Sequence, residues 1–121
     1  MPDLPEPHQA IGHLAEEKAC EFLLKHGLKL LAKNYRCYLG EIDLIMEDQQ
    51  NIVFIEVRLR NHSAFGDAIE SINRSKQQKL LKSAIHYLQK NKLLDKVNCR
   101  FDIIGFSNGR IEWIKDAFDY E

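Results

Sequence analysis

The sequence predicts an α/β protein with a mixed β-sheet of about five strands flanked by two helices, in the order αβββαββ. Two observations lead to this expectation. Two segments carry apolar residues at helical spacing, and shorter segments rich in β-branched residues follow each of them. With 121 residues, of which 45% are hydrophobic, the chain suits a single domain over 1–121, in which residues 1–8 form a flexible leader.

The first helix is predicted over about 9–26 from its apolar spacing. Gly27 follows a cationic last turn made by Lys25 and His26, which is a typical helix end. The stretch 28–33 is a candidate for a short strand, and 34–40 is expected to form the turn after it.

Two hairpins are expected. The first joins strands at 41–47 and 52–60, both rich in β-branched residues, and Gln49-Gln50 would occupy its turn although Gln-Gln is a weak turn signal. The second joins strands at 97–106 and 111–115. Its connection contains Asn108-Gly109, which is a strong signal for a type I′ turn.

Between the hairpins we expect an irregular stretch, 61–73, followed by a second helix. Ser75 and Gln78 have the spacing of a capping box at the start of this helix. Its apolar residues form one stripe and its basic residues lie on another side. The apolar stripe consists of Leu80, Leu81, Ala84, Ile85 and Leu88, and the basic side consists of Lys76, Lys79, His86 and Lys90.

Charge is strongly segregated along the chain although the net charge is only −1 at pH 7. Residues 1–57 sum to −5, residues 58–100 to +7 and residues 101–121 to −3. The near-neutral total excludes a strongly basic, histone-like nucleic-acid binder, and the mean hydropathy of −0.38 excludes an integral membrane protein. The basic middle segment still supplies a local patch that could attract nucleic acid.

The sequence lacks the patterns of several common sites. Cys20, Cys37 and Cys99 are odd in number and have no C-x-x-C spacing, which argues against a disulfide framework and a structural zinc site. The five histidines contain no i, i+4 pair, and no glycine-rich phosphate loop is present, so metal chemistry would need oxygen ligands. Because the N-terminus has neither a signal nor a transit pattern, the protein is expected in the cytoplasm.

The hairpin at 41–60 carries the most informative pattern. If Gln49 and Gln50 form its turn, Asp43 lies opposite Glu56 and Glu41 lies opposite Arg58. In that register, apolar residues share one face and charged residues the other. The apolar face consists of Ile42, Leu44, Met46, Val53, Ile55, Val57 and Leu59, and the charged face consists of Glu41, Asp43, Glu56, Arg58 and Arg60.

Asp43 and Glu56 would thus lie with their Cβ atoms roughly 4.5–5.5 Å apart, which is unfavourable unless a cation neutralises them. Mg²⁺ prefers carboxylate and carbonyl oxygens together with water. Arg58 follows Glu56 by two residues and could contact a phosphate beside such an ion, as metal-assisted phosphodiester hydrolysis requires. The alternative is a solvated charged face in which Glu41 and Arg58 form an ordinary ion pair.

Motifs over nearly the whole chain carry a family resemblance. They are G-x-x-x-E-x-x-A at 12–19, Asn34-Tyr35-Arg36, GEIDLI at 40–45, FIEVR at 54–58, Phe65-Gly66, Lys76, Arg100-Phe101-Asp102 and Ala117-Phe118. This set resembles the YraN-like family of small bacterial proteins, predicted endonucleases with the restriction-endonuclease-like (PD-(D/E)XK) fold that are similar to archaeal Holliday junction resolvases. The resemblance implies a metal-dependent endonuclease whose substrate is nucleic acid, with DNA as the expected form and branched or damaged DNA among the candidate substrates.

By this resemblance, Asp43 and Glu56 would be catalytic and would hold Mg²⁺ or Mn²⁺, with the backbone carbonyl of Val57 as a third ligand. Arg58 stands where the superfamily has lysine. Because guanidinium stays protonated, Arg58 cannot act as a general base, but it could orient the phosphate or stabilise the transition state. Glu16 matches an acidic catalytic residue on the first helix of such nucleases, and by its helical position it faces either the site or solvent.

The second helix is the expected phosphate-binding surface, through Lys76 and Lys79 together with Arg60. Residues 74–100 contain eight Lys or Arg and one Asp, and such a patch attracts nucleic acid without reading its sequence. A solvated helix face is the simpler alternative. Four aromatic residues could stack on bases, although packing is the simpler expectation for each: Tyr35, Tyr38, Phe65 and Tyr87. Trp113 in the last strand is expected to be a packing or interface residue.

Three hypotheses follow from the sequence. The first is a nuclease that depends on Mg²⁺ or Mn²⁺. The second is a catalytically silent nucleic-acid-binding module with the same fold, which the arginine at position 58 favours. The third is a protein-interaction module, such as a homodimer, whose lysines only solvate it. None of the three involves a membrane.

Overall fold

The computed structural model describes residues 7–60 and 72–118, with side chains for 12–59 and 72–118. These residues form two helices and five strands in the order αβββαββ, which confirms the predicted fold class. The helices are α1 (Pro7–Lys25) and α2 (Arg74–Lys90), and the strands are β1 (Lys29–Cys37), β2 (Gly40–Asp48), β3 (Asn51–Arg60), β4 (Cys99–Ser107) and β5 (Arg110–Phe118). No helix in this part of the chain is long and apolar enough to cross a bilayer.

The strands form one mixed sheet in the order β1-β2-β3-β4-β5. β3 and β4 are parallel, and every other neighbouring pair is antiparallel. A parallel pair requires a long crossover connection, and α2 lies within the chain that joins β3 to β4. The sheet therefore consists of an N-terminal three-stranded meander and a C-terminal hairpin that meet along β3 and β4.

Each face of the sheet is covered by one helix and carries its own hydrophobic cluster. On the α2 face the cluster includes Ile42, Ile45, Phe54, Leu80, Ala84, Phe101 and Ile103. On the α1 face it includes Ala19, Leu23, Leu44, Met46, Val53, Ile55 and Ile104. Because both faces are buried, the central strands need apolar residues at successive positions, which explains the continuous apolar runs of β2 and β3.

The two predicted hairpin turns are confirmed. Gln49 and Gln50 have φ values of 50° and 75°, and Asn108 and Gly109 have values of 50° and 76°. Positive φ at both central residues is the type I′ pattern, whose twist matches that of the flanking strands. Gln-Gln is a weak turn signal, but Gln49 and Gln50 form the turn because the two strands on either side of them pair.

β1 is longer than the sequence suggested. The stretch 34–40 was expected to be a turn, but the strand continues to Cys37 and only Tyr38 and Leu39 form the turn. Asn34 adopts a φ of 50° inside the strand, yet the pairing with β2 resumes at Tyr35. Asparagine tolerates this left-handed conformation better than most residues, so β1 is kinked at Asn34 and not ended there.

The start of α2 also differs from the expectation. The N-cap is Asn73 and not Ser75, because Oδ1 of Asn73 accepts a hydrogen bond from the backbone N–H of Lys76 at 2.9 Å. Asparagine is as effective an N-cap as serine. α2 therefore begins at Arg74, and Lys76 lies in its first turn. The preceding residues 61–71, including Phe65-Gly66, lie outside the described part of the chain.

The strict alternation expected along β2 is wrong at one point. Ile42 belongs to the cluster under α2, whereas Leu44 belongs to the cluster under α1. Residues two apart on a regular strand share a face, so β2 changes face between them. Asp43 lies at this change of face. On the neighbouring strand β1, the kinked residue Asn34 lies next to Asp43, because the residues on either side of Asn34, Lys33 and Tyr35, pair with Leu44 and Ile42.

Candidate active site

Asp43 lies where the pairing of β2 with β3 ends. The ladder keeps the predicted register, and its last pair joins Leu44 to Ile55. At the next position, Oδ2 of Asp43 accepts a hydrogen bond from the backbone N–H of Val57 at 2.8 Å. The carboxylate therefore replaces a main-chain acceptor and holds the two strands together where their own hydrogen bonds stop.

Glu56 is the second carboxylate of the site. It is 7% exposed, and its carboxyl group lies within hydrogen-bonding reach of that of Asp43. Burial, followed by the charge of Asp43, raises the pKa of Glu56 to about 7. Burial also raises the pKa of Asp43, a shift that the Val57 hydrogen bond opposes and the charge of Glu41 reinforces. The two groups therefore resist being ionised together unless positive charge is added.

Two cations lie close to Glu56. Nη2 of Arg58 is 3.5 Å from Oε1 of Glu56, and Nζ of Lys76 is 3.7 Å from the same atom. Both contacts are longer than the roughly 2.7–2.9 Å of a charge-assisted hydrogen bond, so neither cation is tightly bound. Nε of Arg58 is buried and has no hydrogen-bond partner among the described residues. Because buried donors are nearly always paired, Arg58 can accommodate an additional acceptor.

Glu16 approaches the same point from α1. Burial, and then the charge of Asp43, raises the pKa of Glu16, while a hydrogen bond from the Asn34 side chain opposes the shift. Nδ1 of His13 lies 3.8 Å from Oε2 of Glu16. Glu16 therefore faces the sheet at the kink of β1. The sequence left open whether Glu16 faces the site or solvent, and in the structure it lies near Asp43.

The remaining predicted residues are placed differently. Lys79 is exposed and lies beside Gly40, where an added Cβ would be 3.7 Å from the Cβ of Lys79. Arg60 is the last residue of β3, but its side chain lies outside the described part. The expected pairing of Glu41 with Arg58 is wrong. Because the β2–β3 ladder has already ended, Glu41 instead meets Nε of Arg36 on β1 at 3.5 Å.

The side chains of these residues supply only some of the ligands that a divalent cation needs. Within 12–59 and 72–118, no three His, Cys, Asp or Glu side chains form a ready-made ligand set. An ion beside Asp43 and Glu56 would need two carboxylates, a backbone oxygen and water, which is a set that Mg²⁺ accepts. Burial is the main cause of the raised pKa of both carboxyl groups, and the charge of Asp43 adds to the shift of Glu56, so a bound cation would favour their ionised forms.

A separate buried carboxylate, Asp102, belongs to a network at the end of the sheet nearer the β2–β3 turn. It is 1% exposed and accepts hydrogen bonds from Arg100 Nε at 3.0 Å, Trp113 Nε1 at 2.8 Å and the backbone N–H of Asp116 at 2.9 Å. Arg100 also donates to Oδ2 of Asp48 at 2.9 Å. Arg100 is therefore engaged inside the protein and is not part of the basic surface in which the sequence included it.

Three further features add to what the sequence predicts for the acidic cluster of Glu16, Asp43 and Glu56 and for its surroundings. Asn34 shapes the kink and hydrogen-bonds to Glu16, and an asparagine within a β-rich run was a usable signal for positive φ. Glu41 adds its charge to the site because β1 and β2 remain paired past Asp43. Tyr38 proves to be 87% exposed, whereas Tyr87 is buried and Tyr35 is half-buried, a difference that depends on the packing of α2.

Comparisons with known proteins match almost the full length of the chain. The profile described as "Uncharacterised protein family UPF0102" matches residues 15–106, a range that includes Glu16, Asp43, Glu56, Arg58, Arg60, Lys76 and Lys79. A UPF0102 protein of Coxiella burnetii is 52% identical over 114 residues, which cover 93% of this chain and 95% of the relative. One of Nitrosococcus oceani is 47% identical over 121 residues, covering 97% and 98%. One of Saccharophagus degradans is 49% identical over 111 residues, covering 92% and 94%.

Proposed function

The chain belongs to the UPF0102 family, as its YraN-like motifs indicated, and from its acidic cluster we propose that it is a metal-dependent endonuclease that hydrolyses phosphodiester bonds in nucleic acid, with DNA as the principal substrate. The observation that carries the proposal is the pair formed by the half-buried Asp43 and the buried Glu56 beside Lys76 and Arg58. A purely structural ion-pair network would pair these charges closely, as Arg100 does with Asp102.

Asp43 and Glu56 would hold Mg²⁺ or Mn²⁺, with the backbone carbonyl of Val57 as a third protein ligand. When bound, such an ion lowers the pKa of water and polarises the phosphate. It would also replace the weak contacts that Arg58 and Lys76 now make with Glu56. Both side chains would then be available to the negatively charged substrate.

Arg58 and Lys76 would bind the scissile phosphate and stabilise the charge that develops on it. The long 3.5 Å contact of Arg58 with Glu56 supports this role, since the partly exposed guanidinium is not tightly engaged by that carboxylate. Glu16 would accept a hydrogen bond from the attacking water and orient it, because its carboxyl lies near Asp43 and is held by Asn34. Lys79, one helical turn beyond Lys76, would contact the next part of the backbone, and Arg60 is proposed to do so from the end of β3.

The decisive experiment is cleavage of labelled duplex, branched, flapped and single-stranded DNA and RNA by the purified protein, with Mg²⁺, with Mn²⁺ and with EDTA. We expect cleavage that requires the metal. Asp43→Asn and Glu56→Gln should each lower the rate by about a hundredfold or more, because each removes a charged ligand. Glu16→Gln should lower it as well. The matched control is Glu17→Gln, since Glu17 is the exposed neighbour of Glu16 on α1. Cleavage that persists in both Asp43→Asn and Glu56→Gln would disprove the proposal.

Arg58 distinguishes this proposal from a catalytically silent module. If Arg58 stabilises the transition state, Arg58→Ala should lower kcat by about 10²–10³, as the loss of one preorganised donor does, whereas Arg58→Lys should retain more of it. A silent nucleic-acid-binding module is the second candidate, because arginine replaces the lysine of the superfamily and the described side chains form no complete ligand set. It predicts binding that weakens with salt, no dependence on divalent ions and no turnover in any variant.

A further inference from the structure

Tyr38 is the most exposed large hydrophobic side chain among the described residues, at 87%. It lies in the two-residue turn between β1 and β2. An aromatic ring at such a position contributes almost nothing to the core. The turn itself is well anchored, because its flanking residues Cys37 and Gly40 pair with each other and Cys37 Sγ lies 3.8 Å from Oγ of the buried Ser83 on α2.

His86 on α2 holds the Tyr38 ring at one side. The two rings meet edge to face, with centroids 5.9 Å apart and an interplanar angle of 82°. His86 is itself fixed, since its Nδ1 hydrogen-bonds to the Tyr35 hydroxyl. The Tyr38 ring is therefore positioned on the surface by a packed neighbour while most of its area stays open to a ligand.

The surroundings of Tyr38 are basic. Lys79, Lys82 and His86 recur at i, i+3 and i+7 on α2, so they lie along one side of that helix, the side that carries the contact of His86 with Tyr38. Lys79 and Lys82 are exposed, and Lys79 packs beside Gly40 in the same turn. An open aromatic ring beside basic side chains is the arrangement by which proteins bind single-stranded nucleic acid.

The basic side chains connect this ring to the acidic cluster. Lys76 precedes Lys79 by one helical turn, and its Nζ lies 3.7 Å from Glu56. On the sheet, Gly40 and Asp43 are three residues apart in β2, which is about 10 Å along the strand. A nucleic-acid backbone that crosses Lys79 and Lys76 would therefore run from the Tyr38 ring to the site.

We propose that Tyr38 stacks on an unpaired base of the substrate, so that the site acts on nucleic acid with a single-stranded segment beside the scissile phosphate. This inference rests on the proposed function for the cleavage step. A base inside a duplex already has both faces covered by its neighbours, whereas a base in a flap, a splayed arm or a free single strand offers a face to the ring. Duplex DNA would meet only the lysines.

The test is binding in EDTA, where metal-dependent cleavage is absent, measured by fluorescence anisotropy at low salt. The probes are a labelled single strand, the blunt duplex of the same sequence and a splayed-arm duplex. Tyr38→Ala should weaken binding of the single strand and the splayed arm by a factor of about 5 to 100, the range for loss of one stacked base, and change duplex binding by less than about twofold. Tyr38→Phe keeps the ring and should bind all three probes like the wild type.

Lys82→Ala is the electrostatic control and should weaken all three probes by a similar factor. Equal weakening of all three probes by Tyr38→Ala would overturn the inference. No effect of Tyr38→Ala on any probe would also overturn it and would point to a protein partner for the ring. Because Tyr38 is so exposed, the variant should melt at the wild-type temperature, which excludes misfolding as a cause. If the wild-type protein cleaves nucleic acid and Tyr38→Ala binds every probe like the wild type, the stacking inference alone is refuted. If Tyr38→Ala loses affinity for the single strand and the splayed arm but the wild type cleaves no substrate, only the hydrolytic proposal is refuted.

Discussion

The Asp43 carboxylate accepts a hydrogen bond from the backbone N–H of Val57, the residue that directly follows Glu56. This 2.8 Å contact holds the Asp43 carboxyl group against the main chain next to Glu56. The Asp43 carboxyl group therefore stays beside β3 as long as the ends of β2 and β3 remain together. Ionising Glu56, which is buried beside Asp43, costs free energy in the folded state, and this cost can be measured as a loss of stability.

The first prediction concerns the pH dependence of stability. The pKa of Glu56 is about 7 in the folded protein against an ordinary value of 4.5, so the folded state keeps a proton that the unfolded state releases between these values. Stability must fall as pH rises through this window, by a few kcal/mol in total. Glu56→Gln removes the free-energy cost of ionising this buried carboxyl group. In EDTA the variant should therefore melt several degrees above the wild type at about pH 8, with a smaller gain at about pH 5. Thermal unfolding followed by circular dichroism measures both values.

Glu17→Gln, on the exposed side of α1, provides the control and should leave Tm nearly unchanged at either pH. An equal gain for Glu56→Gln at both pH values would contradict the sign derived from the raised pKa.

The second prediction concerns metal binding without any substrate. At about pH 8, Mn²⁺ at a hundred times its Kd should stabilise the wild-type protein by about 2.7 kcal/mol. The effect should be smaller at about pH 5.5, because a proton on Glu56 competes with the ion. Asp43→Asn and Glu56→Gln should abolish it, and Asp95→Asn, at an exposed carboxylate outside the site, should preserve it. A shift of Tm that is the same in all four proteins would indicate nonspecific binding.

The third prediction separates the Asp102 network from the site. Asp102→Ala leaves the half-buried Arg100 without one of its two carboxylate partners and also removes the acceptors of Trp113 and Asp116. We expect a loss of about 3–5 kcal/mol in the free energy of unfolding, measured with urea. At temperatures where the variant is folded, its affinity for nucleic acid should remain that of the wild type. Asp116→Asn should change stability by less than about 0.5 kcal/mol, because Asp116 is exposed and asparagine tolerates its φ of 53°.

The fourth prediction concerns Gly40, which lets α2 approach the β1–β2 turn. Its φ is +152°, and an added Cβ would lie 3.0 Å from Oγ of Ser83. Gly40→Ala should therefore destabilise the protein by about 1–3 kcal/mol. Combining it with Ser83→Ala removes the contacting oxygen, so the double variant should be more stable than the sum of the single effects implies. Gly12→Ala is the contrast, because nothing lies within 4 Å of its added Cβ in α1, and it should stabilise the helix by roughly 0.5–1 kcal/mol.

Local patterns in the sequence were enough to predict the sheet and the meeting of Asp43 with Glu56. Both acids belong to one hairpin, and its turn fixes their register within a few residues. The parts that were wrong or were left open depend on distant packing. The engagement of Arg100 requires Asp48, which is 52 residues away, and the side on which Glu16 lies was decided only when α1 packed on the kinked β1. Alternation failed at Ile42 because it assumes a regular strand, and the irregularity at Asn34 leaves no periodic trace.

The single parallel contact in the sheet also sets an order of assembly. Asp43 and Glu56 are joined by a short hairpin, whereas Lys76 reaches Glu56 only after α2 has docked, and β4 can pair with β3 only after the same crossover has closed. Local contacts form fastest, so the two acids and Arg58, which all belong to the hairpin, should come together before Lys76 arrives. Early in folding the acidic pair therefore has Arg58 beside it but lacks Lys76. A divalent ion present at that stage would therefore be expected to speed refolding, and this effect would need no substrate.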